Sequence, residues 1–122
     1  MATIRVLVCD DSDAFRALLR YTLQEDPGIE VVGEAADGMA AIAAAERLQP
    51  DVVLLDLTMP ILDGIDAIPA LLERAPGTRV VALSGWGAER MGDAAREQGA
   101  VAYVEKTDDV QAIRAAVRAA AA

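Results

Sequence analysis

The sequence contains no histidine. That removes histidine as a metal ligand, as the base of a Ser-His-Asp triad, and as a phosphoryl carrier within this chain. Cys9 is the only cysteine, so no intrachain disulfide can form; it lies in an apolar run and reads as inert core. Aromatic residues are scarce, at 3%, while Ala, Val, Leu and Ile dominate. That suits helices packed on a sheet better than a β-sandwich. No apolar run is long enough to span a bilayer, and no basic-then-apolar leader opens the chain, so a cytoplasmic location is expected. Positive charge is also short. Eleven Lys and Arg face 20 Asp and Glu, for a net charge of −9. Phosphate backbones attract clustered Lys and Arg, so direct nucleic-acid contact by this segment is disfavoured. A cation or a basic partner surface fits the charge better.

What is present is 54% apolar residues in 122, enough for one domain, residues 1–122, with a real core. Short apolar runs alternate with helical patterns. The runs predict strands over 4–9 (IRVLVC), 29–35, 51–56, 78–85 and 100–106. Between them the spacing predicts helices over about 13–25, from the Asp37-Gly38 turn to about Leu48, and over about 65–74, 87–98 and 108–120. The first helix should bury Phe15, Leu18, Leu19 and Thr22, the fourth Met91, Ala94 and Ala95, and the fifth Val110, Ile113 and Val117. Pro69 is tolerable near a first turn and would kink the third helix further in. "DVVLLD", 51–56, lacks polar alternation, as expected of a strand covered on both faces. Five strand-helix units without a repeated motif imply an α/β fold, a parallel sheet with helices on both sides. Pattern alone leaves the strand order open. In such sheets ligands bind at the carboxyl ends of the strands.

Those ends carry an unusual set of groups. Strand one ends in Asp10-Asp11, strand three in Asp56, strand four in Ser84 and strand five in Lys106. Two unit charges ~4 Å apart repel by about 4 kcal/mol at an effective dielectric of 20. Three close carboxylates would therefore forfeit a large part of a domain's typical ~5–15 kcal/mol stability. A divalent cation would relieve the repulsion, and carboxylates with water and a phosphate suit Mg²⁺. Each residue also has a plainer reading: Asp10, Asp11 or Asp56 as a helix cap or turn, Ser84 as a turn residue, Lys106 as a solvated charge. Complementary groups at the ends of four of five strands favour the joint arrangement.

Taken together, "VLVCDDS", "DVVLLDLTMPILDG", "VVALSG" and "AYVEK" resemble a response-regulator receiver domain, the phosphoacceptor module of two-component signalling, over essentially the whole chain. "IEVVGEAADG" resembles in particular receivers that precede a helix-turn-helix DNA-binding output domain. The resemblance implies a flavodoxin-like (βα)5 doubly wound sheet of strand order 2-1-3-4-5, an order for which a receiver of this family is a known example. It implies Asp56 as phosphoacceptor, with Mg²⁺ held by Asp10, Asp11, Asp56 and the backbone carbonyl of Thr58. Lys106 would neutralise the transferring oxygens, and Ser84 would bond a phosphoryl oxygen and couple to a switch residue, Tyr103. The implied partners are a histidine kinase or phosphotransfer protein as donor and an output domain or partner protein on the face of helix four, strand five and helix five. A homodimer is left open. Trp86, two residues past Ser84, is placed either in the core or near the pocket mouth, where with Thr58 it would control water access to the phosphoryl group. Thr107 stands where family members usually carry proline, which leaves the path of that loop open.

Two other readings compete. An aspartyl-nucleophile, Mg²⁺-dependent phosphatase usually carries a second acid two residues after the nucleophile, where this chain has Thr58. A binding module, either a receiver-like domain that is never phosphorylated or a flavin binder, is the other; the flavin version lacks a Ser/Thr-rich phosphate loop after strand one. The expectation is a switch rather than a turnover enzyme.

Overall fold

Every strand of the sheet alternates between two apolar cores, and that alternation is what makes the sheet central. In the computed structural model, which describes residues 3–59, 61–85, 89–106 and 109–122, the order is β1 (Ile4–Cys9), α1 (Asp13–Gln24), β2 (Ile29–Ala35), α2 (Gly38–Leu48), β3 (Val52–Asp56), α3 (Gly64–Arg74), β4 (Arg79–Ser84), α4 (Glu89–Gln98), β5 (Ala102–Glu105) and α5 (Val110–Ala121). The strands form one parallel sheet ordered β2-β1-β3-β4-β5. Val6, Val8, Val52, Leu54, Val81 and Leu83 pack with Leu19 and Leu23 of α1 and with Ile113 and Val117 of α5. Their strand neighbours Leu7, Cys9, Val53, Leu55, Val80 and Ala82 pack with residues of α2, α3 and α4, among them Ala41, Ile68, Leu71 and Ala95. This is the period-two geometry of a strand with both faces covered, and all five residues of β3 are buried.

Strand register places the carboxyl ends. Cys9 pairs with Leu55, and Leu55 with Ala82, so Asp10 and Asp56 follow at the same level on adjacent strands. Ser84 pairs with Glu105, and the Lys106 N–H bonds the Ser84 carbonyl at 2.7 Å. An extra residue in β2, between the pairs Val6–Val31 and Leu7–Gly33, makes a β-bulge that leaves the far end of β2 in register with Cys9.

Helix starts are capped as the local sequence demands. Ser12 accepts the Phe15 N–H, Asp37 the Ala40 N–H, and Asp63 the Asp66 N–H. Asp10, Asp11 and Asp56 are therefore not caps of the helices that follow them.

Several expectations need correction. Leu18 is exposed, and Leu23 takes its place in the buried face of α1, because the stripe facing the sheet runs through Leu19, Thr22 and Leu23. Pro69 is the sixth residue of α3, past the first turn, so the Ile65 carbonyl has no helical donor there. β5 is shorter than 100–106: Ala100 caps α4 through Ala95, and Lys106 lies one residue past the strand. The Met-Pro pair at 59–60, Trp86, and Thr107 with its peptide bond to Lys106 fall wholly or partly outside the described residues. Among the described residues no helix is long and apolar enough to cross a membrane.

Gly64 is where the fold bears most directly on the Asp56 loop. A Cβ there would lie 2.2 Å from the Asp56 carbonyl oxygen and 2.7 Å from Leu57 Cα, both backbone atoms that cannot swing aside. Gly77, by contrast, has nothing within 4 Å. Gly64→Ala is expected to destabilise the domain by about 2–3 kcal/mol, as overpacking does, while Gly77→Ala should stay within about 0.5 kcal/mol. Urea denaturation of the two variants checks this.

Candidate functional site

At the carboxyl edge of the sheet, two buried carboxylates flank one ammonium. Asp10 is 0% exposed and Asp56 1%. Lys106 Nζ lies 2.5 Å from Asp10 Oδ2 and 3.0 Å from Asp56 Oδ2. The other oxygen of each carboxylate takes a backbone donor two residues on: Ser12 N–H to Asp10 Oδ1 at 2.8 Å, and Thr58 N–H to Asp56 Oδ1 at 3.0 Å. These turns fold the chain back over each acid as it leaves the strand. Apart from the ammonium, Asp10 Oδ2 and Asp56 Oδ2 have no hydrogen-bond partner among the described residues.

Asp11 is exposed, yet one carboxylate oxygen from each of Asp10, Asp11 and Asp56 lies within 4.8 Å of the others. Phe15, expected only as a core residue, places its ring centroid 5.0 Å from the Lys106 ammonium, within range of a cation–π contact.

Burial is the dominant influence on Asp56. It disfavours the charged carboxylate and outweighs the Thr58 N–H and the Lys106 ammonium, so the pKa is pushed up from 3.8 to about 6, with the Asp10 charge adding to the rise. Lys106 moves up as well. Burial opposes its charge, but its bonds to Asp10 and Asp56 prevail. Burial and the neighbouring Asp10 push the Cys9 thiol up, which keeps it unreactive at neutral pH.

Asp10, Asp11, Asp56 and Lys106 thus converge as the sequence predicts. Ser84 is fully buried at the adjoining strand end, and its hydroxyl donates to the Gly85 carbonyl at 3.1 Å, within its own loop. Tyr103 is half-buried. Its ring lies against Gly92 of α4, where a Cβ would come within 2.7 Å of it, and its hydroxyl is buried without a hydrogen-bond partner among the described residues. Thr58 is exposed and contributes its N–H to Asp56.

A family model of the response regulator receiver domain matches residues 6–118. The chain belongs to the response-regulator receiver family. Receiver relatives include a protein-glutamate methylesterase/protein-glutamine glutaminase of Geobacter sulfurreducens, 43% identical over 91% of this chain, and one of Myxococcus xanthus, 46% identical over 87%. The chain spans about a third of the length of these curated relatives, 32% and 31%. Among solved structures, the response regulator domain of Thermotoga maritima CheB is similar with a TM-score of 0.89 and 34% identity, over 98% of this chain and 96% of that one. The signal receiver domain of NarL from Mycobacterium tuberculosis has a TM-score of 0.93 and 34% identity, over 99% and 98%. The flavodoxin-like receiver fold and its strand order are those expected from the sequence.

Two contributors to this receiver's site were not legible from the motifs. Gly64 enters the sequence reading only as the last residue of the motif DVVLLDLTMPILDG, and it backs the Asp56 carbonyl. Arg16 was not singled out at all, although its guanidinium bonds the Asp10 carbonyl at 2.6 Å. The helical offset that puts position 16 near the start of α1, above the acidic pair, was the available signal.

The raised Asp56 pKa has a sign that can be measured. The folded state holds this proton more tightly than the unfolded chain, so stability from the neutral carboxyl is full below about pH 4 and is lost as pH rises through about 6. With a chelator present, Asp56→Asn should therefore stabilise the domain by about 1–3 kcal/mol at pH 7.5, and the gain should shrink toward zero at pH 4. Paired urea melts at the two pH values check both the size and the direction.

Proposed function

We propose that this receiver is a Mg²⁺-dependent phosphoacceptor switch, with residues 1–122 acting as one unit and Asp56 as the acceptor. The observation that carries the reading is the gathering of three carboxylates within 4.8 Å of one another beside the Lys106 ammonium. The donor set fits the ion. Three carboxylates and one ammonium leave two negative charges uncompensated at neutral pH, and all the donors are hard oxygens. Asp10, Asp11, Asp56 and the Thr58 carbonyl would hold Mg²⁺, which when bound supplies positive charge to the oxygens of a transferring phosphoryl group.

The chain's own residues do the rest. The Asp56 carboxylate attacks the phosphorus of a phosphohistidine on a partner; an O–P bond forms, the P–N bond breaks, and the electron pair leaves with the imidazole, which takes up a proton. The absence of histidine in this chain accords with an external donor, a histidine kinase or phosphotransfer protein. Lys106, poised 3.0 Å from the acceptor oxygen, stabilises the phosphoryl oxygens electrostatically. Ser84 exchanges its bond to Gly85 for one to a phosphoryl oxygen, which draws its loop inward. Tyr103 sits between that loop's strand and α4, so the movement shifts the population of the face built from α4, β5 and α5.

The product stays on the protein, so the domain acts as a switch with self-directed phosphoryl transfer rather than as a turnover enzyme. Its output is an attached domain or a separate partner; the methylesterase relatives favour a methylesterase unit, and the NarL likeness keeps other regulators in view. A cytoplasmic setting suits a module that meets a kinase.

Mass spectrometry after treatment with acetyl phosphate and Mg²⁺ tests the reading. A single phosphate-sized gain is expected in the parent, and none in Asp56→Asn or in parent protein with excess chelator. Undiminished labelling of Asp56→Asn, or none in the parent, would overturn the assignment; the second result would favour an unphosphorylated binding module. In thermal melts, Mg²⁺ should stabilise the parent by roughly 1–3 kcal/mol at concentrations well above its Kd, and Asp11→Asn should lose most of that gain.

A further inference from the structure

We infer that Arg16 is a positioning residue for the acidic pair, holding the Asp10–Asp11 peptide so that both carboxylates meet one cation. The inference rests on the Mg²⁺ reading above and adds to it a residue outside the ligand set.

Arg16 is the fourth residue of α1, and its side chain is 14% exposed. Its guanidinium donates in three directions: Nη1 to the Asp10 carbonyl at 2.6 Å, Nε to Glu34 Oε1 at 3.1 Å, and Nη2 to Asp13. Glu34, near the end of β2, is gripped on its other oxygen by Arg20. The guanidinium is thus anchored from β2 and from its own helix, and its remaining arm closes on the loop after β1.

The carbonyl it grips belongs to the peptide that joins the two acids. A peptide unit is planar, so fixing its oxygen also fixes its N–H and the Asp11 Cα. Asp10 has further anchors. Its N–H bonds the Ala35 carbonyl at 3.0 Å, and its carboxylate is held by Ser12 N–H and Lys106. Asp11 has none of these: it is exposed, and its side chain makes no hydrogen bond or ion pair among the described residues. The peptide before it is what places its carboxylate beside those of Asp10 and Asp56. Partners that orient a metal ligand without touching the metal typically change affinity by roughly 10–100-fold when removed.

A surface ion pair that only steadied the helix would affect stability and leave metal affinity alone. The two roles separate in one experiment. Calorimetric Mg²⁺ titrations would be run on the parent, Arg16→Ala, Arg16→Lys, Glu34→Gln and Arg118→Ala, with urea melts in chelator on each. Arg118 forms a comparable pair with Asp26 at the opposite edge of the sheet and serves as the control.

Arg16→Ala should raise the Mg²⁺ Kd roughly 10-fold or more. Arg16→Lys should weaken binding by less, since an ammonium can keep the Asp10 carbonyl but cannot fork to Glu34 and Asp13 as well. Glu34→Gln should shift Kd in the same direction, and Arg118→Ala should leave it unchanged. Should Arg16→Ala fail to fold, Arg16→Lys and Glu34→Gln decide the matter. Kd values within twofold of the parent for the Arg16 and Glu34 variants would overturn the inference while leaving the Mg²⁺ reading intact. A parent that does not bind Mg²⁺ would overturn both.

Discussion

Lys106 is the group on which the carboxyl edge of this sheet depends. Asp10 and Asp56 end adjacent strands at the same level, are almost wholly buried, and would repel each other strongly without a cation between them. The ammonium reaches both, at 2.5 and 3.0 Å, from a position just past β5 at the sheet's other side. It compensates one charge and leaves the rest unbalanced. Burial then pushes the Asp56 carboxyl up to about 6 despite the ammonium.

The scaffold beneath this edge is ordinary hydrophobic packing used to hold polar atoms in place. Two apolar layers, one on each face, immobilise the strands, and parallel register carries that rigidity to the loops. Close backbone approach completes the placement. α3 begins at Gly64, against the Asp56 carbonyl, and α2 begins at Gly38, where a Cβ would lie 2.1 Å from the Leu62 carbonyl oxygen. Ile61, between those contacts, is held at φ 72°, a left-handed conformation that costs a β-branched residue roughly 1–2 kcal/mol. Backbone near Asp56 and at Leu62 is thus closely packed by α3 and α2, and exposed Ile61 carries backbone strain.

The pairing of β4 with β5 links Ser84, Lys106 and Tyr103. Ser84 and Lys106 are tied through a backbone bond, and Ala82 pairs with Tyr103, whose ring rests on Gly92 of α4. The end of β4 is thus bonded to the residue that follows β5 and carries the ammonium, and it lies beside the strand that bears the aromatic ring.

Elements and chemistry were readable at different depths. Uninterrupted apolar runs such as residues 6–9 and 52–55 located the strands, because a strand buried on both faces reads as a near-continuous apolar run. Exposed or capped ends were harder: Leu18 lies only slightly off the buried stripe of α1, and the short β5 gave way to helix-capping contacts at Ala100. The sequence by itself determined the order of the elements, the two-sided sheet, and the acids, hydroxyl and lysine available at its carboxyl edge, since periodicity and residue chemistry are local properties. Only the tertiary structure decided that Lys106 bridges Asp10 and Asp56, that Gly64 backs the Asp56 carbonyl, and that Arg16 grips the peptide between the paired acids. Those contacts join residues whose distance in space is set by strand register and helix packing, which no local pattern encodes.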